Sequence, residues 1–330
     1  NYKAGPGFSL NDPMLMAPSS SDVLGKWQKS FTTLKQVNFL IENFEGSANV
    51  DSDLMHKIGG TAYYFRALIY YNLVTRGVPI LRQRTYDIVP VSPEADVWNF
   101  ILEDLEKAEN LLPKFSDRFY VSGSACEALL AKVHLALKNY DKAESYASKV
   151  LVESSFSLSV NSEEYASAFV SNTSSKEIVF ALANKRSSNL LLFYQTVNDI
   201  DPTWDYSPSA ECYEKLYQDT PLKKSDIRAK AVFSDDNSRI IKFPNGSTGQ
   251  FITNDMPAQT PIVVTRIAEM YLIKSEAQGA NAGLSTLKEF MSKRYAEVNL
   301  PVSLPEKEFQ NLILDERNRE FYGEGQRWYD

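Results

Sequence analysis

A chain of 330 residues with 43% hydrophobic and 23% charged side chains has the balance of a globular protein, long enough for one large domain or two ordinary ones. Lys+Arg 35 against Asp+Glu 42 leaves a formal charge of −7, which argues against a nucleic-acid partner, since only a basic face displaces the counterions of a phosphate backbone. The only Cys and His residues, Cys126, Cys212, His56 and His134, form no zinc ligand set at the usual spacings, and no cofactor motif is present, so no metal or cofactor is expected.

Residues 1–22 read as loop, with Gly5, Pro6, Gly7, Pro13 and Pro18 ahead of a Ser-rich stretch that suits a helix N-cap. Leu24, Trp27, Phe31, Leu34, Val37, Leu40, Ile41 and Phe44 then recur at three and four residues, which predicts an amphipathic helix over 24–44. Ile58, Ala62, Phe65, Ile69 and Leu73 predict a second over 53–75, stopped by Gly77 and Pro79. Val97, Ile101, Leu105, Ala108 and Leu112 predict a third over 94–112, stopped by Pro113.

From Ser124 to Ser154 the residues Leu130, Ala131, His134, Tyr140, Ala143, Ala147 and Val150 fall at tetratricopeptide-repeat spacings. Small side chains at Ala131 and Ala143 let two antiparallel helices approach, Tyr140 is expected to pack across the hairpin, and His134 is expected in the core. A second hairpin is expected from Val264 through a Gly279–Gly283 turn to Phe290, and a last helix over 306–324. Between the helical halves the pattern breaks into short apolar alternations, 177–182 and 239–243, which read as strands among Asn, Ser, Pro and Gly loops. The fold class is therefore mainly α: a tetratricopeptide-like helical hairpin solenoid, with repeats over about 24–154 and 262–330 and a loop-rich, partly β insertion over about 155–261. No run of 18 apolar residues exists to form a spanning helix.

Among candidate chemistries, Glu316, Arg317, Glu320, Glu324 and Arg327 have the spacing of ion-pair ladders on a helix face. Asp201, Asp205, Asp219, Asp226, Asp235 and Asp236 lack the alternation of a calcium loop and read as solvated loop carboxylates. The aromatic share is 12%, and the insertion concentrates rings at Phe193, Tyr194, Trp204 and Tyr206 beside Asp205. Ring faces stack on the apolar side of a pyranose while a carboxylate accepts from its hydroxyls, so these five are the candidate ligand-binding residues. The same rings would also serve as a plug that closes the insertion onto the scaffold.

Five stretches in order resemble one family, the SusD/RagB-like nutrient-binding lipoproteins of Bacteroidetes outer membranes. They are Trp27 to Asn38, Gly60 to Pro79, Tyr206 to Arg228, Arg266 to Ala277 and Ile313 to Asp330. The chain departs from the family pattern at Phe31, where Tyr is usual, and at Thr61, where an acidic residue is usual. The resemblance implies a single SusD-like domain over 1–330. It also implies a non-catalytic protein on the extracellular face of the outer membrane that captures oligosaccharides and hands them to a SusC-like TonB-dependent transporter. Membrane contact is then expected only through a lipid anchor, which, with its leader, is expected to lie outside the chain as given. A RagB-like peptide binder and a tetratricopeptide interaction scaffold are the alternatives. A glycosidase would need two facing carboxylates about 5–10 Å apart in a pocket.

Overall fold

The computed structural model describes residues 2–4, 21–47, 52–170, 173–183, 206–235, 237, 240–243 and 260–326. Helix dominates, with two two-stranded antiparallel ribbons. The chain divides into two compact units, Leu15–Lys149 and Asn1–Met14 with Val150–Asp330.

The first unit is built on α1 (Ser21–Gly46), α2 (Asp53–Leu73), α3 (Glu94–Leu111) and α4 (Gly123–Ala136), followed by α5 (Tyr140–Leu151), whose last two residues cross its boundary. Of the apolar positions read from spacing, Leu34, Val37 and Ile41 of α1, Ala62 of α2, Val97, Ile101, Leu105 and Ala108 of α3, and Ala131 of α4 are buried, whereas Leu24, Trp27 and Leu40 of α1 and Ile58 of α2 are exposed. Ser52 caps α2 by accepting from Met55 N, and Ser122 caps α4 by accepting from Ala125 N. Gly59 and Gly60 set how closely α2 is approached. A Cβ on Gly59 would stand 2.7 Å from the Phe44 ring, and one on Gly60 2.8 Å from Leu112 Cγ.

The hairpin of α4 and α5 turns at Lys138, in the left-handed region at φ 59°. His134 is in the core as expected, with its ring stacked on Tyr146 at 5.6 Å. Tyr140 does not pack across the hairpin. It is 44% exposed, and Tyr146, two turns further on, supplies the ring instead.

In the second unit, β2 (Ile178–Leu182) pairs with β4 (Ile262–Arg266), and β1 (Tyr2–Ala4) with β3 (Tyr206–Pro208). The strand expected over 177–182 is present. The one expected over 239–243 reduces to a single bridge from Phe233 to Ile240, and Val264, read as the start of a helix, lies in β4. The insertion also carries short helices, α6 (Ser162–Ser167), α7 (Ala210–Tyr217), α8 (Pro221–Lys224) and α9 (Arg228–Val232). The late hairpin is α10 (Ile267–Met291), broken at Gly279 with φ 66° and ψ 179°. Its second arm folds back so closely that a Cβ on Gly283 would lie 2.0 Å from Ser275 O, and Ser275 Oγ donates to Gly283 O at 2.7 Å. Helix α11 (Glu306–Glu320) ends in a turn through Gly323, φ 78°, short of the 324 expected.

Both cysteines are buried, and both are free, which the sequence alone does not decide. Among the described residues no helix is long and apolar enough to cross a membrane, and no group of His, Cys, Asp and Glu could hold a metal.

Candidate functional site

The loop from Gly77 to Pro93, between α2 and α3, is fixed at many points. Tyr70 OH donates to Pro79 O at 3.1 Å and accepts from Leu81 N at 2.8 Å. Ser92 N donates to Val78 O at 3.0 Å, closing the loop at its base. Beneath it lies a buried triad. Arg66 makes a two-pronged pair with Asp104 at 2.7 Å on each oxygen and reaches Asn38 Oδ1 and Arg82 O at 2.9 Å, while Asn38 Nδ2 donates to Leu81 O at 2.9 Å. Burial pushes the Asp104 carboxyl above the ordinary aspartate value, with the Arg66 fork pulling against it.

On this base the loop and α3 form an open groove of about 660 Å³, lined by Ile80, Arg82, Gln83, Asp96, Asn99 and Glu103. Asp96, Asn99 and Glu103 recur at three and four residues and so share one face of α3. Arg82 lies over the Phe100 ring at 4.6 Å and donates to Glu103 Oε2 at 2.8 Å, and that hydrogen bond holds Glu103 below the ordinary glutamate value. The lining thus offers two amides, two carboxylates and a guanidinium, enough to satisfy a row of hydroxyl groups. Further along the same loop Tyr86 is 100% exposed, with Lys35 Nζ 5.1 Å from its ring centroid. Arg84 is held by Glu42 at both its backbone and side-chain nitrogens, 2.8 Å each, and lies 4.6 Å from the Phe39 ring.

The carboxylates read as a helix-face ladder do something different. Within α11, Glu316 pairs with Arg319. Glu320 instead accepts from Arg228 at 3.0 Å, from Arg294 at 2.9 and 3.1 Å and from Arg266. Glu177 joins Arg266 at 3.0 Å to Arg294 at 2.8 Å, and Glu324 accepts from Lys242 and Arg266 at 2.6 Å each. Asp226 is not a solvated loop residue: it is buried, gripping Arg228 through both oxygens. Arg228, Lys242, Arg266, Arg294 and Arg319 face Glu177, Asp226, Glu316, Glu320 and Glu324, five charges of each sign. Burial pushes Glu316 up, but Arg319 and Arg228 outweigh it and bring it to about 2. Burial pushes Lys242 down to about 8, against the pull of Glu324. This cluster is paired and buried, so it braces the second unit and presents no group to a ligand.

Of the residues expected from sequence to bind ligand, Phe193, Tyr194, Trp204 and Asp205 lie outside the described residues, as do Asp201, Asp236 and Arg327. For Tyr206 the backbone alone is described, opposite Ala4 in the β1–β3 ribbon. The groove residues escaped the sequence reading. Their traces were the polar 3–4 repeat on α3 and the loop opened by Gly77-Val78-Pro79.

Two family profiles match the chain: residues 176–330 fit one described as "SusD family", and residues 15–135 fit one described as "Starch-binding associating with outer membrane". A SusD-like protein of Formosa agariphila is 22% identical, over 96% of this chain and 73% of its own length. A SusD superfamily protein of Bacteroides thetaiotaomicron has the same fold at TM-score 0.82 and 21% identity, covering 99% of this chain and 80% of that one. A laminarin-binding SusD-like protein matches at TM-score 0.72 and 21% identity, covering 92% and 76%. At these identities the structural likeness is one of fold.

Proposed function

Because the chain belongs to the SusD/RagB-like family, we propose that it is a non-catalytic glycan-binding protein that captures oligosaccharides at the outer membrane. The observation that carries this reading is the pinned, open, polar groove between the 80–83 segment and α3, with exposed Tyr86 on the same loop. An open groove suits a chain of sugars that runs past the site, and amides and carboxylates suit its hydroxyls. The laminarin-binding relative of like fold supports the same ligand class.

One feature weighs against cleavage. A general acid needs a raised pKa, and Arg82 moves Glu103 the other way. In this reading Trp204, with Asp205, Tyr194, Phe193 and Tyr206, is a second set of candidate ligand-binding residues, in the insertion. Its partner is a SusC-like TonB-dependent transporter that receives the glycan, and a lipid anchor on the full-length protein holds it at the extracellular face. The test is affinity electrophoresis on neutral glycans. Retardation by at least one of them, weakened by Asn99→Ala and by Arg82→Ala, supports the reading; unchanged mobility of the parent chain on the whole panel refutes it.

A further inference from the structure

From the charges in the groove we infer that its ligand is a neutral glycan, and that glycans bearing carboxylate or sulfate groups are rejected. The inference rests on the groove being the glycan site. Its lining holds one cation, Arg82, and two carboxylates, Asp96 and Glu103. The cation is already engaged: Nη1 lies 2.8 Å from Glu103 Oε2 and the guanidinium covers Phe100. The next cation along the loop, Arg84, is held by Glu42. At the start of α3, Glu94 adds a third carboxylate, which accepts from Trp98 Nε1 at 3.0 Å. A uronate or sulfate in the groove would meet Asp96 and Glu103 across a few ångströms of water and would find no unengaged guanidinium in its lining. Neutral hydroxyls pair with the same carboxylates as donors, so the lining discriminates by repulsion as well as by attraction. Arg82 also holds Glu103 below the ordinary glutamate value, which favours its charged form.

The groove's one net negative charge, about 5 Å away in high dielectric, disfavours an anionic ligand by roughly fourfold at low salt, and salt screens the effect. The experiment uses the full chain and neutral glucans (laminarin, hydroxyethyl cellulose, soluble starch), each beside its carboxymethyl derivative, at low and at 0.5 M salt. The expected result is binding of a neutral glucan with its charged derivative weaker by roughly fourfold, the gap narrowing in salt. Asp96→Asn with Glu103→Gln changes the groove from one net negative charge to one net positive and should reverse the preference. Asp96→Asn alone, at an exposed position, should narrow the gap if the double variant does not fold. Equal or tighter binding of the charged derivative by the parent chain overturns the inference while leaving glycan binding intact. Binding of neither form overturns both.

Discussion

Glu320 shows how a single side chain organises the second unit. Its two oxygens and its carbonyl take hydrogen bonds from Arg228, Arg266, Arg294, Lys242 and Tyr165, all contributed by other segments. Glu320→Ala would leave three arginines buried without that counter-charge, and breaking a buried pair in this way costs about 3–5 kcal/mol. Chemical denaturation should show a loss of that size; a loss below about 1 kcal/mol would mean that the remaining carboxylates compensate. A pH dependence follows from Glu316. Its folded pKa of about 2 lies below the ordinary 4.5, so it stabilises the fold fully above about 4.5 and ceases to as pH falls toward 2. Melting temperature measured against pH should therefore decline across that window, and Glu316→Gln should flatten the decline. If Trp204 stacks on a sugar as proposed, burial at about 25 cal/mol per Å² would supply roughly 1–3 kcal/mol. Trp204→Ala should weaken a glycan five- to hundredfold with the melting temperature nearly unchanged. A lower melting temperature with intact affinity would make Trp204 a packing residue.

At the scale of elements, periodicity located α1, α2 and α3 to within a few residues because each buries one apolar stripe, and a stripe is a local pattern. It also placed β2, a continuous apolar run buried on both faces from Ile178 to Ala181. It missed β4, because Val264 continues an apolar pattern into α10 and only pairing with β2 makes that stretch a strand. The short helices α7 and α8 went unread although Ser209 and Thr220 cap them, since stretches of eight and four residues carry too little periodicity. The ion cluster was legible as structural but not as buried. The i, i+3, i+4 spacing on α11 is local, whereas the partners Arg228, Arg266 and Arg294 come from far along the chain. The close contacts at glycine are a test at this scale. Gly283→Ala would press a methyl into Ser275 O and should cost more than the roughly 1–3 kcal/mol typical of overpacking. Gly60→Ala meets side-chain atoms, Leu112 Cγ at 2.8 Å and Leu111 Cβ at 3.1 Å, and should cost less; equal thermal shifts for the two would contradict this account of the α10 turn.

For the molecule, the sequence carried the family through five ordered motifs, while the candidate groove emerged only from the fold. Arg66, Asn38 and Asp104 are scattered over three helices, and no spacing rule joins them to the loop they hold. That loop is the link from core to function: a buried triad fixes backbone carbonyls at Leu81 and Arg82, and the side chains beside them line the groove. The most direct test of capture without cleavage is saturation-transfer NMR on a neutral glucan oligosaccharide, followed in the same tube for a day. The account predicts transfer to the sugar protons, diminished for Asn99→Ala, with the reducing-end anomeric signals constant in intensity. Absence of transfer to every neutral glucan tried, or growth of new reducing-end signals, would contradict it.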